Sequence, residues 1–425
     1  MHPFALLPYT AAGQLLRLAA IFAPPGGKAL SSLHARRGIR ARYAAWRGRD
    51  LARPLLWIHA PSVGEGLQAL PVIALLRERR PDLQVAYTFF SPSAARFAQG
   101  LGADFADYLP FDTAGDAGAA LDALRPTALV FSKVDVWPLL VANASARGVR
   151  TGLVSATLAG DSSRRSRLAA LVLRDAYAAL DAVGAIDPAD ATLLAALGVR
   201  PERVTVTGDT RYDQVWARTR AADTQGAFLR PLASDRPTVV AGSTWPADEE
   251  PLRAAWRSVC ASVGGARLVI APHEPSPEHL AAIERWTIED GLRCVRLGGD
   301  AQAAADVLLV DRVGVLGDLY ALADVAYVGG GFHSAGLHSV VEPAAFGAPV
   351  LFGPRHGGSR DARLLTECGG GFPVRSAAEA SARLTALLTD EGARSTAGRA
   401  ASALVESGLG AADRSANLVE RLLSS

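Results

Sequence analysis

Short runs rich in Val, Ile and Leu alternate with helical patterns along nearly the whole chain, and this alternation restricts the fold more than any other feature. In the first half the runs are LLWIHA, QVAYTFF, TALVFS, TGLVSA, AVGAI and RVTVTG; in the second they are TVVAGS, RLVIAP, DVLLV, DVAYVGG and PVLFG. Buried strands, each followed by a helix, are the pattern of a parallel sheet covered on both faces. Between the halves, WARTRAADTQGAFLRPLASDRP is polar and lacks a clean period, which puts a boundary near residues 214–237. The expected architecture is α/β: two doubly wound, Rossmann-like domains over 28–220 and 235–425, preceded by a distinct segment over 1–27. With 425 residues, 49% of them hydrophobic, the chain is long enough for two such cores.

The segment MHPFALLPYTAAGQLLRLAAIFAPPGG is apolar, but Gln14 and Arg17 interrupt it before about 20 unbroken apolar residues accumulate, so a spanning helix is not expected. On a helical wheel Thr10, Gly13, Gln14 and Arg17 share one face, and Leu15, Leu18, Ala19 and Phe22 share another. That is the pattern of a helix lying in a membrane interface. Pro24 and Pro25 end it. Residues 28–53 then carry Lys28, Arg36, Arg37, Arg40, Arg42, Arg47, Arg49 and Arg53 against a single acid, Asp50. Such a stretch is either a solvated basic face or a surface for anionic lipid, and its amphipathic neighbour favours the anionic membrane surface. No small-residue cleavage site of the secretory type stands out.

The 44 Lys and Arg against 42 Asp and Glu leave a formal charge of +2, which gives no case for nucleic-acid binding. Cys260, Cys294 and Cys368 lie far apart with no CxxC or Cys/His spacing, so neither a disulfide framework nor a zinc site is expected. No Asp-x-Asp triplet, P-loop or HExxH occurs, and no metal ligands are assigned. The oligomeric state is left open.

Ligands of doubly wound sheets bind beyond the carboxyl ends of the strands, in the loops that lead into helices. Four such loops carry chemistry. After LLWIHA comes Pro61-Ser62-Val63-Gly64-Glu65-Gly66, with Glu65 in the first turn of a helix. An acid there complements the helix dipole whether or not it is catalytic. Gly64 and Gly66, lacking side chains, would let a substrate approach the carboxylate if Glu65 is catalytic. The second loop is Gly242-Ser243-Thr244-Trp245-Pro246, where hydroxyls at a helix start either bind phosphate or only cap the helix. The third is APHEPS, with His273 and Glu274. The fourth is VGGGFHSAGLHSVVEP, where Gly329, Gly330 and Gly331 allow backbone donors to converge on an anion. His338 and Ser339 follow, and Glu342 is placed to accept hydrogen bonds from ribose hydroxyls.

These residues together resemble the 3-deoxy-D-manno-octulosonic acid (Kdo) transferase family of lipopolysaccharide biosynthesis. The resemblance is carried by HAPSVGEG and the following TFFSPSAARFA, LPFD at 109–112, VDVWP at 134–138 and VTGDTRYD at 206–213. It continues through AGSTWPADEE, VIAPHEP and YVGGGFHSAGLHSVVEPAAFGAPVLFGP. The resemblance implies a GT-B glycosyltransferase, its two domains facing a central cleft, that moves Kdo from CMP-Kdo to a lipid A precursor at the cytoplasmic face of the inner membrane. It makes Glu65 the general base of an inverting displacement that needs no metal or other cofactor. Ser243, Thr244, His273, Glu274, Gly329, Gly330, Gly331, His338, Ser339 and Glu342 would hold the donor. Ser62, Gly64, Gly66, Lys133, Asp135 and Arg211 would stand on the acceptor side or support it.

The chain departs from the usual family pattern at three places. Lys133-Val134-Asp135 replaces Glu-x-Glu, His273-Glu274 replaces Arg-His, and Ser339 replaces the Asn after His338. Two other readings remain: a GT-B transferase or epimerase using a UDP-sugar, and a catalytically silent, membrane-associated nucleotide-binding protein.

Overall fold

The computed structural model describes residues 3–24, 26–158 and 162–424. Seven strands form the first sheet: β1 (Leu55–His59), β2 (Gln84–Phe89), β3 (Phe105–Tyr108), β4 (Ala128–Ser132), β5 (Arg150–Ala156), β6 (Ala182–Ala185) and β7 (Val204–Val206). They lie in the order β3-β2-β1-β4-β5-β6-β7, all parallel. The second sheet holds β8 (Thr238–Thr244), β9 (Arg267–Pro272), β10 (Cys294–Arg296), β11 (Val307–Leu309), β12 (Val325–Val328), β13 (Val350–Phe352) and β14 (Gly371–Pro373). Its order is β10-β11-β9-β8-β12-β13-β14, again parallel.

Burial explains why these runs are continuous rather than alternating. Leu55 and Trp57 of β1 join the apolar cluster on one face, and Leu56 and Ile58 join that on the other. In β8, Val239 and Ala241 point one way and Val240 the other. A parallel sheet covered on both faces needs carbon at every position. Both doubly wound sheets are as expected.

The division of the chain differs from the expected one. The first compact unit comprises residues up to Gln214 together with those from Leu409 onward; the second is Val215–Gly408. The domain expected over 235–425 therefore lacks its last helix, Ala411–Leu423, which packs on the first sheet through Leu418, Val419 and Leu422. Its first turn is fixed there by Asp213, whose carboxylate accepts the N–H groups of Gly410 (2.8 Å) and Ala412 (2.9 Å).

The leading segment forms helices α1 (Pro3–Phe22), α2 (Gly27–Ala35) and α3 (Ile39–Ala45). Helix α1 shows the two expected faces, but its polar one is turned inward. Tyr9 donates to Asp112 (2.7 Å), and Arg17 lies 3.6 Å from Asp116. Leu7 and Phe22 are about four-fifths exposed, and Leu15 and Leu18 are also exposed. By length and composition alone Ala5–Phe22 is apolar enough to cross a membrane, Gln14 and Arg17 notwithstanding. Its inward polar contacts instead hold it against the unit.

The basic stretch also departs from expectation, because most of its guanidinium groups serve the fold. Arg37 caps the end of α1 by donating to the carbonyls of Ala20 (2.8 Å) and Ala23 (2.9 Å). Arg40 pairs with Asp116, and Arg42 forks onto Asp107 at 2.7 and 2.9 Å. Arg49 donates to Leu124 O, Arg53 to Asp82 O and Arg47 to Ala44 O. Pro25 and the Lys28 side chain lie outside the described residues.

Candidate active site

The first sheet reverses its strand order between β1 and β4, and the loops leaving these two neighbours diverge to open a crevice. From β1 the chain enters helix α4 (Val63–Arg79), which carries Glu65 in its first turn. From β4 it enters Lys133, whose φ of +67° turns the backbone back at once. The two side chains meet there, with Lys133 Nζ donating to Glu65 Oε1 at 3.3 Å. Ser62 Oγ donates to Oε2, and Ser132 Oγ to the Glu65 carbonyl (3.0 Å). A pocket of about 440 Å³ opens over them, lined also by Pro61, Phe90, Asp135, Trp137 and Arg164.

Burial alone would push the Glu65 carboxyl up, but the Ser62 hydroxyl and the Lys133 charge hold it below the ordinary glutamate value. It is therefore ionised at neutral pH. Asp135 is treated similarly: burial raises it, while His59 and Arg164 hold it below the usual aspartate range. Arg164 lies 3.1 Å from Asp135, and the Trp137 indole N–H donates to it at 3.2 Å. Behind Asp135 the fully buried His59 places Nε2 3.5 Å from the Asp135 carboxylate and Nδ1 3.0 Å from Thr88 O.

Ser62, Glu65, Lys133 and Asp135 are thus brought together, and Gly64 is exposed beside them. Two expected residues are not part of this group. Gly66 is buried, and a Cβ on it would stand 2.6 Å from the Tyr87 hydroxyl and also strike Phe97, so it serves helix-to-sheet packing rather than sugar approach. Arg211 does not line the pocket; it pairs with Asp209 at 2.6 Å, near the start of the helix Thr210–Ala221. His59, Phe90 and Trp137 lie inside the quoted motifs, but neither they nor Arg164 were singled out from the sequence.

In the second unit the order reverses between β8 and β12, and the residues expected on the donor side lie at the end of β8 and after β9 and β12. Here an aromatic stack forms. Trp245 lies 4.4 Å from His333 with an 11° interplanar angle, and His273 lies 4.3 Å from His338. The Trp245 N–H donates to His338 Nε2 at 3.1 Å, so that nitrogen carries no proton. Burial and the neighbouring His273 lower the His338 pKa, which keeps the ring neutral. His273, Glu274 and Ser339 are exposed. Glu342 opens the short helix Val341–Ala345, its carboxyl raised by burial though opposed by Arg218.

Two donor-side expectations need correction. The glycine run was expected to offer its N–H groups to an anion, but two of the three are engaged within the unit: Gly329 N donates to Gly242 O, and Gly330 N, together with Phe332 N, donates to the buried Asp248 at 2.7 and 2.9 Å. Glycine is required for close backbone approach: a Cβ on Gly329 would stand 2.6 Å from Thr244 Cα, and one on Gly331 2.6 Å from Gly353 Cα. The Thr244 hydroxyl was read as binding phosphate or capping the helix, and the resemblance set it on the donor. It is fully buried and donates to Glu249 (2.7 Å), which also meets His279 Nε2 at 2.9 Å. Ser243 remains partly open, with φ of +53°.

Residues 33–214 match the sequence profile of the family described as 3-Deoxy-D-manno-octulosonic-acid transferase (kdotransferase). The chain is 26% identical over 402 residues to the 3-deoxy-D-manno-octulosonic acid transferase of Haemophilus influenzae, covering 91% of this chain and 92% of that one. Against the protein of the same name from Bordetella pertussis, identity is 29% over 382 residues, with 87% of each covered. Among solved structures, the UDP-GlcNAc 2-epimerase of Neisseria meningitidis superposes with a TM-score of 0.64 over 87% of this chain and 99% of that one, at 14% identity. That likeness shows the GT-B fold alone. Residues 33–214 thus match the Kdo transferase family profile, and the chain is similar along most of its length to proteins named 3-deoxy-D-manno-octulosonic acid transferase.

Proposed function

We propose that the chain is a glycosyltransferase that moves Kdo from CMP-Kdo to a lipid A precursor, lipid IVA, with Glu65 as general base. The observation that carries this reading is the state of Glu65. It is an ionised carboxylate at the strand-order reversal, held by Ser62 and Lys133 and open to a pocket, within the segment that matches the family. In the proposed step Glu65 takes the proton of an acceptor hydroxyl, whose oxygen attacks the anomeric carbon of Kdo. The bond from that carbon to the phosphate oxygen breaks, and CMP leaves with the electron pair. One in-line displacement inverts the centre, with no enzyme nucleophile and no resident metal.

On this reading the second unit holds the donor. The Trp245–His333 stack offers a flat face for the base, exposed His273 a partner for phosphate, and Glu342 an acceptor for ribose hydroxyls. The outward leucines of α1 rest the chain on the cytoplasmic face of the inner membrane, as a peripheral rather than a spanning element.

The test is Glu65→Gln, which keeps an acceptor oxygen but takes no proton. Purified parent and variant are incubated with CMP-Kdo and a tetra-acylated disaccharide precursor, and lipid products are weighed by mass spectrometry. The parent should add Kdo masses, and the variant should be slower by roughly 10² to 10⁴. Calorimetry should find CMP affinity unchanged. A variant that folds and transfers at near the parental rate would remove Glu65 from the chemistry.

A further inference from the structure

A second chamber, of about 330 Å³, lies in the first unit against α1, α2 and the residues that follow β2, β3 and β4. Its walls are mostly carbon, from Leu16, Leu33, Phe90, Phe111 and Trp137. Phe90 and Trp137, stacked with centroids 5.9 Å apart, line the Glu65 pocket as well, so the two spaces adjoin across one aromatic pair. Ala12 and Ala29 are exposed at the edge, next to the outward leucines of α1.

One side chain does not suit carbon walls. Arg36 is 5% exposed, its guanidinium lies 3.8 Å from the centre of the Phe90 ring, and its Nε has no hydrogen-bond partner among the described residues. The nearby Asp112 carboxylate is already engaged by Tyr9 and by the N–H groups of Leu139 and Leu140. A buried donor left without an acceptor is costly. A ligand that brings oxygen to Arg36 and carbon to the walls relieves that cost.

We propose that the chamber receives one fatty acyl chain of the lipid acceptor, and that Arg36 binds the oxygen at its head end, carbonyl or phosphate. Acyl insertion then places the acceptor sugar over the Glu65 pocket. The proposal rests on the reading of the acceptor as a lipid. Arg36 is a positioning residue in it and touches no reacting atom.

The experiment measures binding without any donor or transfer. Saturated fatty acids of increasing length displace cis-parinaric acid from the full chain. One saturable site is expected, tightening about fourfold per added methylene until the chamber is full and levelling thereafter. Ala12→Phe and Ala29→Phe, both at exposed positions, should each weaken binding at least tenfold. Decyl phosphate, methyl decanoate and decanol separate the head groups. The parent should favour decyl phosphate if Arg36 binds phosphate and methyl decanoate equally if it binds a carbonyl, each over decanol. Arg36→Met should lose that preference and keep the decanol affinity, which also reports an intact chamber. Unsaturable binding, binding indifferent to both Phe substitutions, or no preference over decanol in the parent would overturn the proposal. Transfer to lipid without saturable acyl binding would sink the chamber alone; acyl binding in a protein that transfers nothing would sink the transferase reading.

Discussion

Lys133 adopts a left-handed backbone conformation that costs a residue with a side chain on the order of 1–2 kcal/mol, and it thereby reaches Glu65. Because its charge lowers the Glu65 pKa, the base form persists to more acidic pH than an ordinary glutamate allows. Activity on the acid side, read as kcat/KM, should therefore begin to fall only below the ordinary glutamate pKa. Lys133→Met should move that limb upward, and a pH profile of the two proteins checks it. The sign for stability is the same: a depressed folded pKa contributes above the unfolded value and is lost as pH falls through the folded one. The position of Glu65 was legible because a first-turn acid after a buried strand is a local pattern. The role of Gly66 was not, since Tyr87 and Phe97 reach it from other elements. Likewise the fate of Thr244 depends on Glu249 and His279, and the partners of the Gly330 and Phe332 N–H groups on Asp248. A glycine run states that backbones come close without saying which donors are left over.

At the scale of elements, strands and their order of appearance could be read because burial on both faces writes itself as unbroken apolar runs. Helices are less explicit: the apolar stripe of Ala411–Leu423 declares that a face is buried but not against which sheet. Leu422 supplies the answer, its Cδ1 lying 2.6 Å from where a Cβ on Gly152 would stand. Leu422→Ala should cost about 2–5 kcal/mol by leaving a cavity there. Urea unfolding followed by a probe in the first unit should show that loss. A transition changed only in Val215–Gly408 would refute the assignment of this helix. Helix α1 presents the converse case, in which two faces were legible but not which of them would be turned inward.

For the whole molecule, the proposed membrane contact depends on α1 far more than on the arginines that follow it, since Arg37, Arg40, Arg42, Arg49 and Arg53 are engaged within the unit. Deleting residues 1–22 should release most of the protein from anionic vesicles, while added salt should loosen the intact chain only modestly. Co-sedimentation measures both, and binding that survives the deletion would exclude α1 as the anchor. The path of the chain, which leaves the first unit at Gln214 and returns at Leu409, bears on how the protein is made. A ribosome delivers residues in order, at about 5–20 per second, and domains ordinarily fold as they emerge. Here the unit begun first is completed last. The first sheet waits, with part of one face uncovered, through the synthesis of the whole second unit. A message cut short within those last residues would therefore yield a finished second unit joined to an unfinished first one.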